Sequence, residues 1–271
     1  MSATLERKKI TVPALLSMKL RGEKIAALTA YDCLMASLLD EAGVDLILVG
    51  DSVAMVFGGH ETTLPITLDE IIYHTRAVRR GLKNALLVAD MPFLSYQVSP
   101  EQAVLNAGRL LKEGGAEAVK LEGGSVMAET IHRLVQVGIP VMGHLGLTPQ
   151  SINAIGGYAL QASHAESAKT LLEEALQLQE AGVFALVLEK IPAKVAAEVT
   201  RALRIPTIGI GAGPECDGQI LVTHDLLGLF EKFKPKFVRR YAEVGRTMRE
   251  AFAAYGKEVK AGTFPSEQES Y

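Results

Sequence analysis

The chain has 271 residues, of which 48% are hydrophobic and 22% charged, with a net charge of −3 and no tryptophan. That length holds one or two domains, and α/β barrels routinely fill it as one. The slight acidity and scarce aromatics exclude nucleic acid or an anionic membrane surface as the main partner. No apolar run approaches the roughly 20 residues that span a bilayer, and the first nine residues lack the apolar stretch of a secretory signal. The two cysteines, Cys33 and Cys216, follow no metal-ligand spacing. They suit a reduced, cytoplasmic setting, and neither has a paired histidine indicated nearby.

Residues 1–10 are polar and expected to be loose. Val12, Leu15, Leu16 and Leu20 recur at helical spacing and predict a short helix that Gly22 ends. Residues 24–29 read as the first strand. Asp32 caps a helix over Met35, Leu38 and Leu39, and the second strand runs to Asp51. A Gly-, Thr- and His-rich loop covers 52–66. Thr67 and Glu70 form a capping box before Ile71, Ile72 and Val78, with Gly81 as the stop and a third strand running to Asp90. Ser99-Pro-Glu-Gln102 opens the next helix, whose buried stripe is Val104, Ala107, Leu110 and Leu111.

The fourth strand carries Lys120 and Glu122. A helix over 126–137 and a fifth strand over 139–144 follow, then a long loop over 145–162. Ser163 and Glu166 repeat the capping box ahead of Leu171, Leu172, Ala175 and Leu178. The sixth strand ends at Glu189, a helix covers 192–203 and a seventh strand 205–210. The Gly-rich loop 211–218 leads to a short helix near 220–226. Residues 236–238 are a weak eighth strand, a last helix covers 240–256, and 257–271 is expected to be a mobile tail.

This alternation, with no linker or composition break, predicts a single (β/α)8 TIM barrel over 1–271 with an extra N-terminal helix. A doubly wound open sheet is the competing topology, but the first strand lacks the G-x-G-x-x-G turn of a dinucleotide-binding sheet. In a barrel, the strand ends gather Asp51, Ser52, Asp90, Lys120, Glu122, His144 and Glu189 at one face. Three carboxylates from consecutive strands suit a hard divalent cation such as Mg²⁺. Each acid taken alone also reads as a turn or cap residue. Lys120 lies two residues before Glu122, hence on the same inward face, and an interior lysine must be paired. His144 reads as a hydrogen-bonded structural histidine, and the other five histidines as loop or helix-surface residues. The loop from Gly209 to Gly213 fits either a phosphate site or a tight turn.

The stretches Thr29-Ala-Tyr-Asp32, Val49-Gly-Asp-Ser52, Tyr73-His-Thr-Arg-Ala-Val-Arg-Arg-Gly81, Ala89-Asp-Met-Pro-Phe93, Val119-Lys-Leu-Glu-Gly-Gly124, Gly143-His-Leu-Gly-Leu-Thr-Pro-Gln-Ser151 and Ile208-Gly-Ile-Gly-Ala-Gly213 closely resemble the ketopantoate hydroxymethyltransferases. The resemblance covers about residues 10–265. It implies a (β/α)8 barrel assembled as a homo-oligomer, typically a decamer. It implies a Mg²⁺ site of Asp51, Asp90 and Glu122, substrate contacts from Asp51, Ser52, Asp90 and Lys120, and Glu189 as general base. The implied reaction is hydroxymethyl transfer from 5,10-methylenetetrahydrofolate to the 2-oxo acid 3-methyl-2-oxobutanoate through a Mg-stabilised enolate. A lyase or mutase of the isocitrate lyase and phosphoenolpyruvate mutase kind, a Schiff-base aldolase using Lys120, and a non-catalytic barrel are the alternatives. The first usually carries a Lys-Cys loop that this sequence lacks.

Overall fold

The computed structural model describes residues 7–230 and 235–271. The first six residues of the segment expected to be loose lie outside them. Two compact units result, one ending at Leu221 and one running from Val222 to Tyr271.

The first unit begins with α1 (Val12–Arg21) and β1 (Ile25–Thr29), then α2 (Cys33–Glu41), β2 (Leu46–Val49), α3 (Val53–Val56), α4 (Leu68–Gly81) and β3 (Leu86–Asp90). After α5 (Pro100–Arg109) comes a π-turn (Leu110–Gly114), β4 (Ala118–Lys120), a 3-10 turn (Ser125–Met127), α6 (Ala128–Gln136) and β5 (Val141–Gly146). A second 3-10 turn (Pro149–Ser151), α7 (Ile152–Ile155), α8 (Ala165–Ala181), β6 (Ala185–Glu189), α9 (Ala193–Ala202), β7 (Thr207–Ile210) and β8 (Gly218–Leu221) complete it. The second unit holds α10 (Thr223–Leu226), α11 (Val244–Ala261) and a 3-10 turn (Glu267–Glu269).

The eight strands form a closed barrel in sequence order, every neighbouring pair parallel. β1 pairs with β8, so the expected barrel forms and the open sheet is excluded. The eighth strand is not the predicted 236–238, which is a turn, but Gly218–Leu221. Gly218 is a poor strand former, and neither Gly218 nor Gln219 is β-branched or aromatic. They are extended because they bridge β7, through Ile208 and Gly209, and β1, from Ile25 onwards. The predicted short helix is correspondingly confined to α10, and the last helix runs to Ala261 rather than 256.

Local side-chain caps set the starts of α2, α4 and α5. The Asp32 carboxylate accepts the Met35 N–H, Thr67 and Glu70 make a reciprocal capping box, and Ser99 accepts the Gln102 N–H. The Ser163 box does not form. α8 starts one residue later, where the Ser167 hydroxyl accepts the His164 N–H. Gly81 is not a stop but the last residue of α4. A Cβ there would lie 2.3 Å from the Cys33 carbonyl oxygen, so the glycine permits the close approach of α2 and α4. The two loops expected at 52–66 and 145–162 each contain a short helix, α3 and α7.

Two apolar layers result. Ile25, Ala27, Leu46, Leu48, Leu86, Val88, Ala118, Met142, Ala185, Val187, Ile208 and Ile220 fill the barrel interior, and Leu15 and Met18 of α1 join them. The extra N-terminal helix therefore closes the end where the strands begin. Ion pairs fasten the helix and the segment before it: Arg7 to Asp45 at 2.8 Å, Lys9 to Glu117 at 2.6 Å and Lys19 to Asp217 at 2.7 Å. Each of these acids also accepts a backbone N–H near a strand start, from Ala26, Leu87 and Thr207.

Asp40 does the same without a cation. Its carboxylate accepts N–H groups from Lys83, Asn84 and Ala85 just before β3. Burial pushes its carboxyl up, but these bonds outweigh burial and hold it below its ordinary value. Asp40→Asn is expected to reduce stability at pH 7 by about 1–3 kcal/mol in urea unfolding. The folded group lies below its unfolded value of about 3.9, so its stabilisation is complete above that value and lost as pH falls through the folded one. The wild-type advantage should therefore shrink at pH 3. An equal difference at both pH values would remove the carboxylate charge from this role.

Candidate active site

Side chains along a barrel strand alternate between the interior and the helix layer. Val88, Ala118, Met142 and Val187 are interior residues of β3, β4, β5 and β6. Two residues further on, the same parity delivers Asp90, Lys120, His144 and Glu189 to the mouth where the strands end, and Glu122 follows Lys120. Asp51 is out of step. β2 sends Leu46 and Leu48 inward and Ile47 and Val49 outward, so continued alternation would face Asp51 outward. The strand stops at Val49, a turn follows, and the Asp51 N–H donates to Asp90 Oδ2 at 3.0 Å.

The predicted acids and Lys120 thus meet in one buried cluster. Lys120 Nζ lies 2.7 Å from Asp90 Oδ1 and 3.9 Å from Glu122 Oε1. His144 spans the gap left by β5, with Nδ1 3.2 Å from Glu122 Oε1 and Nε2 3.3 Å from Glu189 Oε2. Glu189 joins the cluster through that contact, and with 16% of its side chain exposed it is more accessible than Glu122 at 3%. Ser52 stands beside Asp51 with its hydroxyl 2.8 Å from that of Tyr31. Gly146, paired with Glu189, permits this crowding. Its φ is +92°, and a Cβ would lie 2.2 Å from the Glu189 carbonyl oxygen.

Four carboxylates face two basic groups. Burial, then repulsion from Asp90 and Glu122, pushes the Asp51 carboxyl up to about 8. Burial raises Asp90 too, against the opposing pull of Lys120. Burial would also raise Glu122, but the His144 bond and the neighbouring positive charges hold it low. Burial would lower Lys120, but the charges of Asp90, Glu122 and Asp51 hold it above its ordinary value. Burial and the Lys120 charge push His144 down, yet its bond to Glu122 and the nearby Glu189 carboxylate prevail and set it at about 9.

This donor set suits a hard divalent cation. It is all oxygen, it is buried, and its negative charge exceeds what Lys120 and His144 neutralise. Asp90 Oδ1 has no directed hydrogen bond, although Lys120 neighbours it as an ion pair. Among the described residues, no three His, Cys, Asp or Glu side chains converge into a finished metal cage. Lys120, His144 and Gln150 occupy several of the carboxylate oxygens, so water or substrate oxygens would have to complete a coordination shell.

Residues 9–267 match the family model described as ketopantoate hydroxymethyltransferase. The chain belongs to this family. Relatives named 3-methyl-2-oxobutanoate hydroxymethyltransferase include those of Chlorobaculum parvum, 58% identical over 97% of this chain and 96% of theirs, and Geobacter sulfurreducens, 57% identical over 96% and 98%. Solved structures share the fold at low identity. A 2,3-dimethylmalate lyase of the PEP mutase/isocitrate lyase superfamily superposes with a TM-score of 0.60 at 17% identity, covering 96% of this chain and 91% of its own. A phosphonopyruvate hydrolase in complex with oxalate and Mg²⁺ gives 0.62 at 13% identity, covering 95% and 92%.

Within this hydroxymethyltransferase cluster the sequence reading underrated three residues. His144, expected as a hydrogen-bonded structural histidine, is bonded to Glu122 and also reaches Glu189. Gln150 and Tyr96 bond to Asp51 and Glu122 from loops without periodicity. His74, expected on a surface, is buried with Nδ1 2.7 Å from the Tyr31 carbonyl. The end of the fifth strand already placed His144 at this face, whereas Gln150 and His74 were signalled only by falling inside the long motifs. The Gly209–Gly213 loop adopts positive φ at Gly211 and Gly213, and a Cβ on Gly213 would lie 2.5 Å from that of Ala193.

Lys120→Met would leave Asp90 buried without its cation. The expected loss is about 3–5 kcal/mol in urea unfolding without divalent cations. A loss below about 1 kcal/mol, the scale of an exposed pair, would show that the pair does not hold Asp90.

Proposed function

We propose that the protein transfers a hydroxymethyl group from 5,10-methylenetetrahydrofolate to 3-methyl-2-oxobutanoate, giving 2-dehydropantoate and tetrahydrofolate for pantothenate and coenzyme A biosynthesis. The observation that carries this reading is the family match over residues 9–267, supported by full-length relatives of that name at 57–58% identity. The convergence of the six charged side chains at one barrel end gives it a physical basis.

The reaction needs a base for the proton on C3 and positive charge where the keto oxygen becomes negative. Glu189 takes the first task in this reading, supported by its greater exposure and by His144 Nε2 at 3.3 Å from its carboxylate. Lys120, held charged beside Asp90, serves the second. Mg²⁺ held by Asp51, Asp90 and Glu122 would, when bound, supply a Lewis acid to a chelating 2-oxo acid. Asp51, Ser52, Asp90 and Lys120 line the substrate oxygens. C3 then bonds to the methylene carbon, that carbon's bonds to the folate nitrogens break, and one water supplies the hydroxyl. A lysine kept protonated in this way is a poor Schiff-base nucleophile, so borohydride with substrate should trap no adduct. The same reading makes the protein cytoplasmic and a homo-oligomer, a decamer by family resemblance. The two unpaired cysteines fit a reducing compartment.

Glu189→Gln is expected to keep Mg²⁺ and 2-oxo acid binding while slowing C3–H exchange in D₂O by about 100-fold or more, as followed by NMR. Wild-type exchange in that variant would take Glu189 out of the role of base. Asp90→Ala should weaken Mg²⁺ binding in calorimetry, and an unchanged affinity would refute the proposed ligand set.

A further inference from the structure

Gln150 is a neutral residue at the centre of a charged site, 4% exposed. It sits in the 3-10 turn Pro149–Ser151, closed by the Ser151 N–H on the Thr148 carbonyl at 2.9 Å. Its backbone N–H donates to Glu122 Oε2 at 3.0 Å. Its side-chain Nε2 donates to Asp51 Oδ2 and to the Met91 carbonyl, both at 3.0 Å. Its Oε1 accepts from the Tyr96 hydroxyl at 2.8 Å and from Gln97 Nε2 at 3.2 Å. The Met91 carbonyl can only accept, so the amide has one orientation, with both hydrogens and both lone pairs used.

Tyr96 fixes that orientation from the other side. The Glu122 N–H donates to the Tyr96 hydroxyl at 3.1 Å, and of the two acceptors for the hydroxyl hydrogen Gln150 Oε1 at 2.8 Å is nearer than the Glu122 carbonyl at 3.1 Å. A closed circuit results: Glu122 backbone, Tyr96, Gln150 side chain to Asp51, and Gln150 backbone to the Glu122 carboxylate. It ties together the turn after β2, the carbonyl after β3 and the acid after β4.

We infer that Gln150 is the positioning residue that spaces Asp51 and Glu122 for a divalent cation while leaving their charge uncompensated. The choice of an amide follows from what each alternative would do. A lysine or arginine would neutralise Asp51, as Lys120 does Asp90, and compete with a metal for it. A glutamate would lack the two donors and add a repelling charge. An apolar residue would leave Asp51 Oδ2 without its donor. Only a neutral double donor fixes the carboxylates and preserves their attraction for a cation. The groups that orient metal ligands commonly act in this way.

The inference rests on the cation reading, so Mn²⁺ binding to the full-length protein is measured by EPR in wild type, Asp90→Ala and Gln150→Met, with apo thermal unfolding in parallel. Gln150→Met is expected to raise the Mn²⁺ Kd by about 10- to 100-fold. It should also lower kcat/KM at limiting metal, with kcat recovering at high Mn²⁺. A merely structural glutamine would shift the apo melting temperature and leave the Kd in place. If Gln150→Met does not fold, Tyr96→Phe keeps the amide but frees its rotation, and its Kd should rise about threefold or more, the scale of one lost neutral hydrogen bond. A Kd within twofold of wild type in the folded variant overturns the inference, leaving the cation reading intact if Asp90→Ala abolishes binding. No Mn²⁺ binding by wild type overturns both.

Discussion

A lysine ammonium inside a barrel has to be surrounded by negative charge, because taking it out of water without a partner costs more than a domain's whole stability. Lys120 meets that constraint with Asp90 at 2.7 Å and Glu122 at 3.9 Å. The rest of the site follows from it. Once two acids are drawn inward around Lys120, a third, Asp51, is repelled by both and is left without a cation of its own. His144 balances Glu122 on the far side and passes the contact on to Glu189. The surplus of negative charge beside a protonated lysine is what a 2-oxo acid and a divalent cation together would relieve.

The two ends of the barrel use the same residue types in opposite ways. Where the strands begin, Asp40, Asp45, Glu117 and Asp217 are spent on backbone N–H groups, and the last three also on cations from the N-terminal segment or α1. Their charge is consumed locally and stabilises the fold. Where the strands end, the acids face one another across the opening, and their charge is only partly consumed. The division of a (β/α)8 barrel into a stabilising end and a chemical end is thus visible in what each carboxylate bonds to.

Backbone geometry makes the crowding at the chemical end possible. Gly146 lets β5 and β6 approach beside Glu189, and the Pro149–Ser151 turn swings Gln150 back over the mouth. Gly146 is the last residue of β5, and Gln150 lies beyond it. Both lie in the segment that periodicity read as an unstructured loop, because a turn of three residues has no period to detect.

The sequence by itself determined the alternation of strands and helices, the inward parity of Lys120 and Glu122, and the strand-end acids Asp90 and Glu189. These depend on local patterns with periods of 2 and 3.6. Its long motifs also carried the family, and Asp51, Ser52, Asp90, Lys120 and Glu122 fall inside them. The tertiary structure alone decided the eighth strand, since Gly218–Leu221 is extended only because β1 and β7 flank it. It alone turned Asp51 inward against the parity of β2, through a bond to Asp90 on the neighbouring strand. It alone gave Gln150 and Tyr96 their places and His144 its partner, because a hydrogen bond between residues 22 to 99 positions apart leaves no local trace.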